Sequence, residues 1–268
     1  MRAGWGQRIF IRDLFESFWE SNVPLVDWCF VSPDMQHLSI ASRSSMASEA
    51  TDTTVITVSD PATLLRLGIA KVPIPSVIAK QREKWAAELS QVTPMIMFGQ
   101  GDGEYPFYRN IMEEPELEFP LEGALSEEVE NAFWKHFGVK RDEVRLDDAF
   151  CVHYNMDQSI TSGSKHMDPS DITVNMCIEK TDTVEGSQVL FHGTKVLENL
   201  KVHDETLTDD PTTFLVPQEE GFATIHFGSH PHETLPLING GRRTNIVLTY
   251  CYKDKSRSDV DIRNCYFT

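Results

Sequence analysis

His166 and Asp168 stand two residues apart, just ahead of an apolar run, Ile172-Thr173-Val174-Asn175-Met176-Cys177-Ile178. On an extended backbone that spacing turns both side chains to one face. An imidazole and a carboxylate so placed can share one metal ion and leave positions open for other ligands, which suits non-haem Fe(II) oxygen chemistry. Downstream, the stretch from Gly221 to Pro236 carries His226, His230 and His232, candidates for a second imidazole in a two-histidine, one-carboxylate set. The HxD pattern alone means little. With 41 acids in 268 residues, each of the nine histidines has about a one-in-seven chance of an acid two positions on, so roughly one match is expected. The rival match, His203 with Glu205, sits in a polar segment over 201–210 with no strand signal after it, and reads as solvated surface.

The elements that must position the first pair are β-rich. From Asp147 onward, short runs follow one another: Ala149 to Tyr154, Ile172 to Ile178, Gln188 to Phe191, Thr213 to Val216, Phe222 to Phe227 and Thr244 to Tyr252. Turn-like clusters separate them, and the spacing predicts an all-β sandwich or barrel. Ahead of it, Phe10, Leu14, Phe15, Phe18 and Trp19 recur at helical spacing, and Ser32-Pro33-Asp34-Met35 marks a hairpin turn between strands over 26–41. A Ser/Ala/Thr-rich loop over 42–54, a strand from Val55 to Val58 and a helix from Ser76 to about Leu89 follow. Gly99 to Glu104 lacks the Gly-Lys-Ser/Thr ending of a phosphate loop and reads as a turn. An acidic surface connection from Glu113 to Gly123 leads to a helix that Ser126 caps and Gly138 ends. The expected architecture is therefore α+β: an α/β support region over 1–140 packed on a β core over 141–268, not two independent domains.

Composition narrows the partners. A formal net charge of −17 leaves lysine and arginine too few to neutralise a run of phosphates, which argues against a nucleic-acid surface and against anionic membranes. Cys29, Cys151, Cys177, Cys251 and Cys265 form an odd set without CxxC pairs, which points to a reducing compartment, cytoplasmic or nuclear. No stretch approaches the ~18 apolar residues of a membrane span, and the first residues hold no apolar secretion signal.

Several patterns recur in a fixed order. A strand bearing aromatics, Phe150-Cys151-Val152-His153-Tyr154, comes first, then HxDxS with its following strand from His166 to Asn175. A glycine-led strand onset, Gly186-Ser187-Gln188-Val189-Leu190-Phe191, is followed by HxGxxxH from His226 to His232, Pro236 four residues later, and GxRxN from Gly241 to Asn245. In this order the segment from about Asp148 to Tyr252 resembles the catalytic core of the 2-oxoglutarate/Fe(II)-dependent dioxygenases, most of all the prolyl-4-hydroxylase-like branch.

The resemblance implies a double-stranded β-helix (jelly-roll) core with the N-terminal helices and strands packed on it. It implies His166, Asp168 and His232 as ligands of Fe(II), with His230 as the rival distal ligand and His226 as a hydrogen-bonding or core residue. It implies 2-oxoglutarate as cosubstrate, and admits ascorbate as a further cofactor. A buried cation must hold the distal carboxylate of 2-oxoglutarate; GxRxN selects Arg243, while counting from His232 selects Arg242. Tyr154 matches a family position that hydrogen-bonds the cosubstrate, and Asn175 and Thr173 share a face that lines the same pocket. Asp168 stands where halogenating relatives lack an acid, so hydroxylation or oxidative demethylation is implied, with succinate and carbon dioxide released. The expected substrate is a protein side chain or a small molecule. Two competing readings are a catalytically silent β-sandwich binding module and a cupin-like metalloenzyme that does not use 2-oxoglutarate.

Overall fold

Alternation along the two longest interior strands sets the architecture, and the computed structural model describes it over residues 55–91, 95–96, 104–105, 108–196 and 213–258. The chain divides into two compact units, Met1–Thr51 and Asp52–Thr268, and the described residues all belong to the second. The helix expected near the N-terminus, the hairpin over 26–41, the loop over 42–54, most of the turn before Glu104 and the His203/Glu205 pair lie outside the described residues.

In chain order the first strands are β1 (Ile56–Thr57), β2 (Ala70–Pro73), β3 (Met95–Ile96), β4 (Glu104–Tyr105), β5 (Tyr108–Asn110), β6 (Val144–Asn155), β7 (Gly163–His166) and β8 (Ile172–Lys180). After them come β9 (Glu185–Gly186), β10 (Val189–His192), β11 (Thr213–Val216), β12 (Phe222–Phe227), β13 (His232–Thr234), β14 (Leu237–Asn239) and β15 (Arg242–Tyr252). The helices are α1 (Pro61–Arg66), α2 (Ser76–Ala79), α3 (Arg82–Leu89) and α4 (Glu127–Phe137).

A larger sheet runs β2-β12-β8-β15-β6-β5 and a smaller one β1-β11-β10-β13-β7, with β9–β14 and β3–β4 as short separate pairs. From β6 onward, β9 and β14 set aside, successive strands alternate between the two sheets except at β10–β11, and this mostly β arrangement fits a jelly roll.

The larger sheet is covered on its outer face. Ile172, Val174, Met176 and Ile178 of β8 and Ile246, Leu248 and Tyr250 of β15 join one core with Trp85 and Leu89 of α3 and Val129, Phe133 and Phe137 of α4. Edge-to-face contacts join Phe133 to Tyr250 at 5.3 Å and Phe137 to Phe227 at 4.9 Å. Because side chains alternate along a strand, Thr173 and Asn175 of β8, and Arg243, Asn245 and Thr249 of β15, are turned to the other face. That inner face is polar, and it meets the smaller sheet. The apolar outer and polar inner faces explain why Ile172, Val174 and Met176 alternate with Thr173 and Asn175 along β8.

Local signals explain the helices. The Ser126 hydroxyl accepts from the Val129 N–H at 3.4 Å, three acids occupy the first turn of α4, and Gly138 ends it with φ at 63°. The single helix expected from Ser76 to Leu89 is broken into α2 and α3, with Gln81 outside helical geometry (φ −122°, ψ 22°). Two strands that pattern reading missed, β7 and β13, lack apolar alternation: Gly163-Ser164-Lys165-His166 and His232-Glu233-Thr234. Both carry histidines of the site.

Candidate metal centre

β7 and β13 pair antiparallel with His166 opposite His232, which brings the two imidazole centroids within 4.4 Å. Asp168 completes the group from the connection after β7. The paired strand ends at His166, and beyond it the Asp168 N–H donates to the Gly228 carbonyl at 2.9 Å, which docks the connection on the turn after β12. Asp168 Oδ1 lies 3.5 Å from His166 Nε2 and 3.8 Å from His232 Nε2. The three ligating atoms all fall within 4.8 Å of one another.

Hydrogen bonds behind the rings decide which nitrogen faces inward. His166 Nδ1 meets the Ser164 carbonyl at 2.7 Å and His232 Nδ1 meets the His230 carbonyl at 2.9 Å. A carbonyl only accepts, so each Nδ1 carries a hydrogen, and in the neutral imidazole, the form that binds a metal, each Nε2 presents a lone pair towards Asp168. The other carboxylate oxygen, Oδ2, accepts from the Thr173 hydroxyl, which also meets the Ser170 hydroxyl at 3.0 Å. Burial disfavours the Asp168 carboxylate, but His232 and His166 outweigh it and hold the group well below the usual carboxylate range. Burial pulls His166 down, but the neighbouring Asp168 carboxylate outweighs it and raises the group above an ordinary imidazole, while His232 is held below one mainly by burial. Two Nε2 lone pairs and an ionised carboxylate oxygen thus converge on one point. That donor set fits a divalent metal with open positions, such as Fe(II).

His230 is turned elsewhere. The chain bends at His230 itself and β13 begins only at His232, so the two do not lie on one strand as their spacing suggested. Its Nε2 meets the Gly193 carbonyl at 3.0 Å, and its ring packs 4.9 Å from Phe191 and 6.2 Å from Phe214. Burial pushes it down to about 4. His226 is buried on β12 with its ring 4.8 Å from that of His232, its Nδ1 bound to the Phe227 carbonyl, and burial pushes it down to about 3. It is a neutral wall residue behind the distal imidazole.

The two arginines separate completely. Arg242 is exposed and donates to Glu179 Oε1 at 2.6 Å. Arg243 is 2% exposed, opposite Tyr154 across the β6–β15 ladder, with its guanidinium 5.1 Å from the Tyr154 ring. Its Nη1 donates to the Ser187 carbonyl at 2.9 Å, and its Nε has no partner. Burial lowers its pKa, and no carboxylate forms an ion pair with it among the described residues. Such a cation fits an anionic ligand.

Below it runs a chain of amides. The Asn245 Nδ2 donates to Asn175 Oδ1 and, at 2.7 Å, to Gln218 Oε1, while Asn245 Oδ1 and Gln218 Nε2 are buried without partners. Ser187 also leaves its hydroxyl unpartnered. Sequence reasoning missed Gln218 and Ser187. Gln218 had no periodic signal, and Ser187 stood in a strand onset where only its glycine neighbour drew notice.

No protein-family model matches the sequence, and no curated protein does. Solved structures similar to this chain include a 2OG-Fe(II) oxygenase family oxidoreductase from Burkholderia pseudomallei, with a TM-score of 0.52 at 14% identity over 74% of this chain and 94% of that one. AviO1 from Streptomyces viridochromogenes Tue57 is similar to the same degree, with a TM-score of 0.52 at 13% identity over 74% of this chain and 97% of that one. At such identities the likeness is one of fold, and what it shows is that this chain takes the fold of a 2OG-Fe(II) oxygenase family structure.

Proposed function

We propose that the chain is an Fe(II)- and 2-oxoglutarate-dependent dioxygenase on a double-stranded β-helix, of the prolyl-4-hydroxylase-like branch, which hydroxylates a protein side chain or a small molecule. The observation that carries this reading is Arg243, a buried guanidinium without a counter-ion among the described residues, inside the sandwich that also holds His166, Asp168 and His232. A metal site needs no such arginine, whereas a cosubstrate with a distal carboxylate does. His166, Asp168 and His232 would hold Fe(II), and together with 2-oxoglutarate and dioxygen the metal supplies oxidation of a substrate C–H, with release of succinate and carbon dioxide.

The chain's own residues bind, orient and exclude water. Arg243 holds the distal carboxylate, Tyr154 and the Asn175–Asn245 pair border it, and Thr173 fixes the free oxygen of Asp168. Phe191, with ring centroids 5.5 Å from His232 and 5.2 Å from His226, keeps that side of the site apolar. A carboxylate at 168, where halogenating relatives leave room for chloride, favours hydroxylation or oxidative demethylation. The acidity of the chain disfavours nucleic acid as substrate. Cys151 and Cys177 are free and buried, Cys251 is free and partly buried, and among the described residues no helix is long and apolar enough to cross a membrane. Free thiols favour a reducing compartment, cytoplasmic or nuclear.

Calorimetry on anaerobic, Fe(II)-loaded protein tests the reading, followed by admission of air and quantification of succinate. One metal per chain, 2-oxoglutarate binding that requires the metal, and succinate release are expected. Metal binding without 2-oxoglutarate binding would support the cupin-like alternative, and neither would leave only a binding module.

A further inference from the structure

Two described non-glycine residues have left-handed backbone. Glu118 (φ 50°) closes a short 3-10 turn, whereas Ser187 (φ 59°) is 1% exposed inside the sandwich. A side chain disfavours this conformation, and buried instances concentrate where a ligand is held. Turn chemistry alone does not call for serine here. Gly186 (φ 78°) already supplies the tight approach, since a Cβ on it would sit 2.1 Å from the Pro236 carbonyl oxygen, and glycine at 187 would satisfy the turn without strain.

All but one of the polar atoms of Ser187 are hydrogen-bonded. Its N–H donates to the Pro236 carbonyl at 2.9 Å and its carbonyl accepts from Arg243 Nη1 at 2.9 Å, but its hydroxyl is buried without a partner. Arg243 Nε is also buried without one. Two orphaned donors therefore stand on two residues joined by a hydrogen bond. A carboxylate, with two oxygens and about four lone-pair sites, can accept from both.

We propose that Ser187 is a cosubstrate-binding residue whose hydroxyl donates to the carboxylate that Arg243 holds, and that its left-handed backbone aims it there. This rests on the reading of the Arg243 pocket as a 2-oxoglutarate site.

The test is calorimetry on the full chain loaded with Mn(II), titrated with 2-oxoglutarate and, separately, with pyruvate, a keto acid without the distal carboxylate. Ser187→Ala and Ser187→Gly should each weaken 2-oxoglutarate binding about tenfold to a hundredfold, the value of one hydrogen bond to a charged group. Pyruvate binding should stay within about twofold of the parent. Ser187→Gly should also unfold at a temperature no lower than the parent, because it removes the strain. Wild-type affinity in Ser187→Gly would make the residue a turn former and overturn the proposal, as would equal losses for both keto acids. If the parent binds 2-oxoglutarate, Arg243→Met does not and both Ser187 variants bind normally, only this inference falls. If the Mn(II)-loaded parent fails to bind 2-oxoglutarate, the pocket reading falls with it.

Discussion

Burying a guanidinium without a counter-ion destabilises a protein, so Arg243 should weaken the ligand-free chain and favour the loaded one. Arg243→Met is expected to raise the thermal midpoint of the ligand-free, metal-loaded protein and to abolish the upward shift on adding 2-oxoglutarate. It should cost at least about 2 kcal/mol of 2-oxoglutarate binding, more than tenfold in affinity. Arg242→Met removes an exposed pair with Glu179, worth about 1 kcal/mol or less, and should leave the shift intact. Thermal unfolding of both variants with and without 2-oxoglutarate checks this, and matching behaviour would refute the assignment. Adjacent arginines on one strand necessarily face opposite ways, but only strand pairing says which of them faces inward.

One carboxylate holds that choice at the level of the strand. Glu179 of β8 accepts from Arg242 Nε at 2.6 Å and from the Thr244 hydroxyl at 2.9 Å, gripping both neighbours of Arg243 on the outer face. His153 of β6 joins the same hydroxyl through Nδ1 at 2.8 Å. The grip falls at the register shift between Thr244 and Asn245, beside the Gly240-Gly241 turn where β15 would otherwise fray. Glu179→Ala should weaken 2-oxoglutarate binding roughly five- to tenfold, about the value of a neutral hydrogen bond, with metal affinity unchanged. Parallel titrations of metal and cosubstrate separate the two, and a matching loss of metal affinity would mean general damage to the sandwich. At this scale legibility was uneven. Thr213–Val216 and Phe222–Phe227 lie where alternation put them, while β7 and β13 gave no apolar signal because their ladders, not their side chains, hold them in place.

Across the whole molecule, burial of neutral polar groups on both faces of the larger sheet makes stability depend on pH. Burial first, then Arg242, holds His153 below an ordinary imidazole, against the opposing charge of Glu179. Its folded pKa therefore lies below its unfolded value of about 6.5. The stability it contributes is full above that value and is lost as pH falls through it towards the folded pKa. One proton sets a limit of about 1.4 kcal/mol per pH unit on the slope from this group. Urea unfolding of the metal-free protein at pH 7.5, 6.5 and 5.5 should show the decline, and His153→Gln should flatten it by up to one proton. Equal slopes in the two proteins would rule His153 out as a source.

Residue type and local alternation are properties of short stretches, and these the sequence by itself determined: a β-rich core, a helix between Ser126 and Gly138, an imidazole and a carboxylate two apart, and an arginine pair on a late strand. What only the tertiary structure decided depends on contacts between distant segments. His232, and not His230, meets His166 because β13 pairs with β7 starting at His232, while His230 at the bend before it is bound to the Gly193 carbonyl. Arg243 is the buried one of the two arginines because β15 lies between β8 and β6, with its outer face already taken by helices. Ser187 became visible only as a left-handed serine with an unpartnered hydroxyl, since backbone strain and an orphaned donor exist only in the folded chain.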